Sequence, residues 1–153
     1  MKSPAIAGGS IPALYTCAGK NIAPPLEWGA VPAGTAELAL FVLGFTPAGP
    51  NNRYTASVDW AVAGLSPSLH NLRAGTLPAK ANIGRDSDGK RHYSVCPKKG
   101  STEQYQFELY ALSPEESIRT GFTGLPVVAA LSNSKPSHPT MGHGGFAVAF
   151  KRT

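Results

Sequence analysis

The chain has little of what would announce an active site. It has two cysteines, Cys17 and Cys96, and neither has a partner histidine at an informative spacing, so a thiol nucleophile finds no support. His138 and His143 flank Met141 near the C-terminus. Three such donors are too few to close a site and match no zinc pattern, so no metal or other cofactor is implied. No Gly-X-Ser-X-Gly elbow presents a serine nucleophile. No apolar run approaches the ~20 residues a bilayer-spanning helix needs. Charged residues are only 15% of the 153, and there is no internal repeat, low-complexity tract or interdomain linker. These absences lead us to expect one non-enzymatic domain spanning residues 1–153.

Glycine and proline are abundant instead, at 17 and 14. They supply many turns and disfavour long helices, which predicts short strands joined by tight loops. Apolar alternation bounded by Gly or Pro places strands near Ile11–Tyr15, Glu37–Leu43, Ser57–Ala63, Tyr105–Leu112 and Phe146–Lys151. In the fourth, Phe107, Leu109 and Ala111 share one face, with Tyr105, Gln106, Glu108 and Tyr110 split around it. A short helix is expected at Pro114–Arg119, because Ser113 can cap it and Glu115 and Glu116 suit its positive end. Leu125–Leu131 adds a second helical turn or two, and Ser132–Gly145 reads as a long loop.

The most informative stretch is Tyr15–Trp28, YTCAGKNIAPPLEW. It reads as a rigid loop: Gly19 permits positive φ, Pro24-Pro25 fixes φ, and Leu26 and Trp28 drop onto one face. Ser3-Pro4-Ala5 precedes it. The apolar run Leu38–Leu43, the strand carrying Trp60, the loop Gly84–Gly100 ending in Tyr93-Ser94-Val95-Cys96-Pro97, and the strand from Tyr105 follow in order. Together these pieces resemble the phosphatidylethanolamine-binding protein family, whose bacterial members are often called Raf-kinase-inhibitor-like proteins. The resemblance implies a mainly β fold, antiparallel, with one or two short helices. It also implies a small cavity that binds an anion or phospholipid head group.

In that family the cavity is built from an Asp-Pro-Asp-Ala-Pro loop, a His-Trp pair, a Gly-Pro-Cys-Pro turn and a His-Arg-Tyr triplet. Here the first loop reads Phe45-Thr46-Pro47-Ala48-Gly49-Pro50, the pair is Asp59-Trp60, and the triplet is Glu103-Gln104-Tyr105. The implied ligand set is Asp59, Trp60, His92, Tyr93, Val95, Cys96, Pro97, Glu103 and Tyr105. Both imidazoles have become carboxylates. Two like charges ~4 Å apart repel by roughly 4 kcal/mol at an effective dielectric of 20, so phosphate is disfavoured and a cationic or polyhydroxy ligand is better tolerated. Alternatively the pocket binds nothing, with Asp59 paired to Arg53 or Arg85. His92 could stand in as an anion donor or be an ordinary surface histidine.

Cys17 and Cys96 lie beside loops that converge on the cavity in the family fold. A disulfide there closes a loop of 79 residues, worth roughly 4 kcal/mol, and implies an oxidising compartment; two buried free thiols are the other reading. Met1-Lys2 runs straight into Ser3-Pro4, which suits either a cytoplasmic start or a chain whose leader was removed; the latter, extracytoplasmic reading is the expectation. The net charge of +5 and pI of 9.4 allow peripheral attraction to an anionic membrane. Arg85, Lys90, Arg91, Lys98 and Lys99 gather in one region, partly offset by Asp86 and Asp88, without an aromatic platform, so no nucleic-acid partner is expected. The expected function is binding of a small polar ligand or phospholipid head group. The alternative is a protein-interaction or kinase- or protease-inhibitor-like module acting through a loop surface.

Overall fold

A computed structural model describes residues 1–133 and 140–153. Its strands are β1 (Leu26–Glu27), β2 (Glu37–Pro47), β3 (Tyr54–Leu65), β4 (Asn71–Leu72), β5 (Asn82–Ile83), β6 (Thr102–Leu112) and β7 (Gly142–Lys151). One helix, α1 (Gly124–Ser132), lies between β6 and β7. The main sheet runs β5-β3-β2-β6-β7 with every neighbour antiparallel, and β1 and β4 form a separate ribbon.

The central strand explains the layering. Leu38 to Val42 are all fully buried, so β2 is covered on both faces and reads as a continuous apolar run rather than an alternation. Leu38, Leu40 and Val42 join the larger core with Trp60, Val62, Phe107 and, from the N-terminal segment, Tyr15, Leu26 and Trp28. Ala39 and Phe41 enter the smaller core, where Phe122 and Val128 close the opposite face. The mainly antiparallel β fold expected from the sequence is therefore the one that forms, with a single short α-helix among the described residues.

Local expectations fail where distant groups intervene. Ile11–Tyr15 is not a strand: Pro12 leads into a 3-10 turn at Ala13–Tyr15, held by Tyr15 N–H to Pro12 O at 3.0 Å and Thr16 N–H to Ala13 O at 3.0 Å. Gly19 is required there by close approach and not by positive φ, since a Cβ would strike the Ala13–Leu14 backbone; Asn21 is the residue with φ of 52°. Pro114–Arg119 does not form a helix either. Its backbone groups are taken from outside: Glu37 Oε1 accepts from Ile118 N–H at 3.2 Å, and Asn82 Nδ2 donates to the carbonyls of Ile118 and Arg119. Ser113 Oγ makes no cap.

The glycine-rich Gly142–Gly145 belongs to β7 and not to a loop, paired with Glu108–Ala111. Any Cβ on Gly145 would run into the Phe107 carbonyl, so glycine is what lets this strand lie against β6, with Phe146 stacked on Phe107 at 4.9 Å. Tyr105 shares the larger core with Phe107, Leu109 and Ala111, one continuous face rather than a split one. Cys17 and Cys96 are joined, with Cα atoms 5.2 Å apart and no free thiol remaining.

Candidate functional site

The site begins with an irregularity in β3. Val42 pairs with Trp60 but the next residue, Leu43, pairs with Val58, leaving Asp59 without a partner in the ladder. Such a bulge inserts one residue and re-aims its side chain. Asp59 is thereby turned over Gly44, whose absent Cβ would otherwise meet Asp59 Oδ2 and Ser57 Oγ. Gly44→Ala is expected to push the carboxylate into the cavity and cost about 1–3 kcal/mol by overpacking, read from urea melts.

The cavity that Asp59 faces has a volume of about 200 Å³. On the sheet side it is lined by Thr46, Ser57, Glu103 and Tyr105. Glu103 is 9% exposed; its Oε1 accepts from Thr46 Oγ1 at 3.0 Å and its Oε2 accepts from the Tyr105 hydroxyl at 2.9 Å. On the other side stands the loop Asp86–Ser94, contributing Asp86, Ser87, Asp88 and Ser94. That loop is pinned to β3 by Val58 N–H donating to Ser87 Oγ at 2.8 Å and by Ser94 N–H donating to Asp59 O at 3.1 Å. Asp86 Oδ1 accepts from the N–H groups of Asp88 and Lys90, at 2.9 and 2.7 Å. This Asx-type turn is the signal in Asp86-Ser87-Asp88-Gly89 that the sequence offered and that sequence reasoning did not connect to the cavity.

Four carboxylates and several hydroxyls line this space, and among the described residues no Lys, Arg or His does. Burial drives the Asp59 carboxyl up to about 7; the hydroxyl of Ser57, donating to Oδ1 at 3.1 Å, works against that, and the charges of Glu103, Asp86 and Asp88 add to it. Desolvation and the neighbouring Glu103 likewise push Tyr105 far above its ordinary value, so its hydroxyl stays a donor. Neither Arg53 nor Arg85 lies within ion-pair distance of Asp59 among the described residues, and Arg85 Nη1 donates to Gly89 O instead. Among the described residues no three His, Cys, Asp or Glu side chains gather as a metal ion would need.

The residues implied by the family pattern divide into four groups. Asp59, Cys96, Glu103 and Tyr105 line the acidic cavity. Trp60, Tyr93 and Val95 are core residues: Trp60 meets Tyr93 edge-on at 5.5 Å, the Tyr93 hydroxyl donates to Tyr15 O at 2.7 Å, and Val95 is fully buried. Pro97 is buried outside the lining. His92 sits with Arg91 at a separate opening of about 280 Å³ beside Trp60 and Leu77, so it does not replace the missing imidazoles. Arg85, Lys90, Arg91, Lys98 and Lys99 are all exposed and none lines the acidic cavity. His143 stacks on Tyr110 at 5.7 Å, whereas His138 lies outside the described residues.

Comparison with known proteins agrees with this architecture. A Mycobacterium tuberculosis protein named as lipoprotein LppC is 36% identical over 135 residues, covering 86% of this chain and 64% of that one. The chain thus spans just under two thirds of the length of this relative. A UPF0098 protein of Methanothermobacter thermautotrophicus is 33% identical over 129 residues, covering 80% of this chain and 82% of the relative. The crystal structure of a phosphatidylethanolamine-binding protein homologue from Chlamydia trachomatis superposes with a TM-score of 0.78 at 26% identity, covering 99% of this chain and 95% of that one. Escherichia coli YbcL shares the fold, with a TM-score of 0.79, 23% identity, and coverage of 99% and 97%. The sequence profile of the family described as phosphatidylethanolamine-binding protein matches residues 2–142, and the chain belongs to that family.

Proposed function

We propose that this is a non-enzymatic binding protein whose head-group cavity is specialised for a small cationic or hydroxyl-rich ligand and against free anions. The observation that carries the reading is the lining itself. Asp59, Asp86, Asp88 and Glu103 surround about 200 Å³, and among the described residues no cationic side chain joins them. An oxyanion entering that space meets uncompensated negative charge, whereas an ammonium or a polyol finds acceptors. Two of the four carboxylates are already committed, Glu103 to Thr46 and Tyr105 and Asp86 to its own turn. Asp59, with Oδ1 on Ser57 and Oδ2 without a protein donor among the described residues, is left as an acceptor for a ligand, together with the Asp88 carboxylate. The Cys17–Cys96 bond supports an oxidising, extracytoplasmic setting, and the lipoprotein name of a mycobacterial relative points the same way.

The direct test is calorimetry with ethanolamine, glycerol and inorganic phosphate. The native protein is expected to bind ethanolamine or glycerol and to ignore phosphate. Asp59→His combined with Glu103→His should invert that order, with phosphate gaining about tenfold or more at pH 6, where imidazole is largely protonated, and less at pH 8. Phosphate binding by the native protein as tight as ethanolamine binding would sink the reading.

A further inference from the structure

The loop Asp86–Ser94 borders two openings of opposite charge. Ser94 lines the acidic cavity, whereas Arg91, His92 and Tyr93 line the separate opening of about 280 Å³. Neighbours on β3 divide in the same way, Asp59 lining the first and Trp60 the second. Trp60 and Tyr93, both buried and packed edge-on, supply aromatic wall to the second opening. Ile22, Ala23, Leu77 and Ile83 complete its apolar part. Ile22 and Leu77 pack only partly against the larger core and Ile83 is half-buried, so apolar surface is left for an occupant. A volume of this size lies close to the range of small-molecule sites, which bury an apolar body and fix it with few polar groups.

The unspent polar groups here are cationic or can become so. Among the described residues Arg91 and His92 line the opening and no Asp or Glu does. Both are exposed, so a ligand reaches them directly, and neither is within ion-pair distance of a described carboxylate. The Arg91 guanidinium is seated against the chain, its Nη2 2.9 Å from where a Cβ on Gly121 would stand. Among the described residues the arginine side chains that donate hydrogen bonds are Arg85 and Arg152, which leaves the planar N–H fork of Arg91 open. His92 Nδ1–H donates to Tyr93 O at 3.0 Å, since a carbonyl only accepts, and Nε2 has no partner among the described residues. The other polar side chains of the lining are engaged: Asn21 with Ser94 and Val95, Thr76 with Arg73 O, and the Tyr93 hydroxyl with Tyr15 O. Lys20 and Arg73, next to lining residues in the chain and exposed, add to the positive field.

We propose that this opening is a second binding site and that it takes a small carboxylate carried on an aromatic body. The carboxylate lies on the Arg91 fork, a pairing that planar geometry makes bidentate, with His92 beside it. The ring lies against Leu77, Ile83 and Trp60. One permanent cation suits a monoanion, and the apolar wall is what separates this ligand from free phosphate. The acidic cavity, lined by carboxylates, repels the same molecule.

The experiment follows the Trp60 indole and the methyl resonances of Ile22, Leu77 and Ile83 by NMR during titration with phenylacetate. Phenylacetate is expected to shift them saturably. Binding should be about tenfold or more weaker for 2-phenylethanol, which lacks the charge, and for acetate and inorganic phosphate, which lack the ring. Benzylamine, of the opposite charge, should leave these resonances in place. Arg91→Gln, at an exposed position, should weaken phenylacetate by about tenfold, as loss of a charged hydrogen bond does. Arg91→Lys keeps the charge without the fork and should fall between the two. Asp59→Asn should leave phenylacetate affinity unchanged, so failure of the acidic site and failure of this one are separable. The proposal is overturned if phenylacetate does not saturate these resonances, if 2-phenylethanol or benzylamine binds as well, or if a folded Arg91→Gln protein binds phenylacetate like the native one.

Discussion

Asp59→Asn is expected to stabilise the protein at pH 8 and to do little at pH 4. The cause is the burial that raises this carboxyl from 3.8 to about 7. Between those values the folded state holds a proton that the unfolded state has released. Stability from this group is therefore present below about pH 4 and falls as pH rises, with the loss complete above about pH 7. A shift of that size corresponds to an upper bound of about 4 kcal/mol at 1.36 kcal/mol per pH unit. Asparagine retains an oxygen to accept from Ser57, whose hydroxyl now donates to Oδ1, and it carries no charge to desolvate or to be repelled by Glu103, Asp86 and Asp88. Urea melts of both proteins from pH 4 to pH 8 should diverge steadily. A constant difference across that range would show that Asp59 does not titrate between the two values. Stabilisation by removal of a candidate ligand group is the usual trade between function and stability.

The second large effect concerns the Cys17–Cys96 bond. It ties the coil after the first 3-10 turn to the loop ahead of β6, across a sequence separation of 79. Hydrogen bonds also join these segments: Cys17 N–H donates to Val95 O at 3.0 Å, the Tyr93 hydroxyl to Tyr15 O, Asn21 Nδ2 to Ser94 Oγ, and Val95 N–H to Asn21 Oδ1. Replacing both cysteines by alanine, or reducing the bond, is expected to cost 2–5 kcal/mol, about what loss of a native bridge costs. The native protein should lose this stability in dithiothreitol, while the double variant should be indifferent to reductant. Cys96 also borders the acidic cavity, so reduction should loosen its mouth and lower ethanolamine affinity. Two reactive thiols in freshly extracted protein would remove both this expectation and the extracytoplasmic reading.

Much of the fold was legible because its signals are local. The Leu38–Leu43 run, the alternation after Tyr105 and the density of Gly and Pro dictate strands, turns and few helices whatever else surrounds them. The order of motifs gave the family, and the replacement of both imidazoles by Asp59 and Glu103 was visible as letters. Tertiary structure decided the rest. Pro114–Arg119 has good helix-start chemistry, yet Glu37 and Asn82, distant in sequence, capture its backbone groups. Gly142–Gly145 looks like loop, yet only glycine can lie against the Phe107 carbonyl, so the same residues make a strand. At the site, a one-residue slip between β2 and β3 sends Asp59 to the cavity and Trp60 to the core. Such a slip depends on which strands meet and in what register, and no single strand carries that information. Composition and periodicity therefore determined most of the elements, the resemblance to the family revealed the charge of the site, and long-range pairing alone determined which side chains face it.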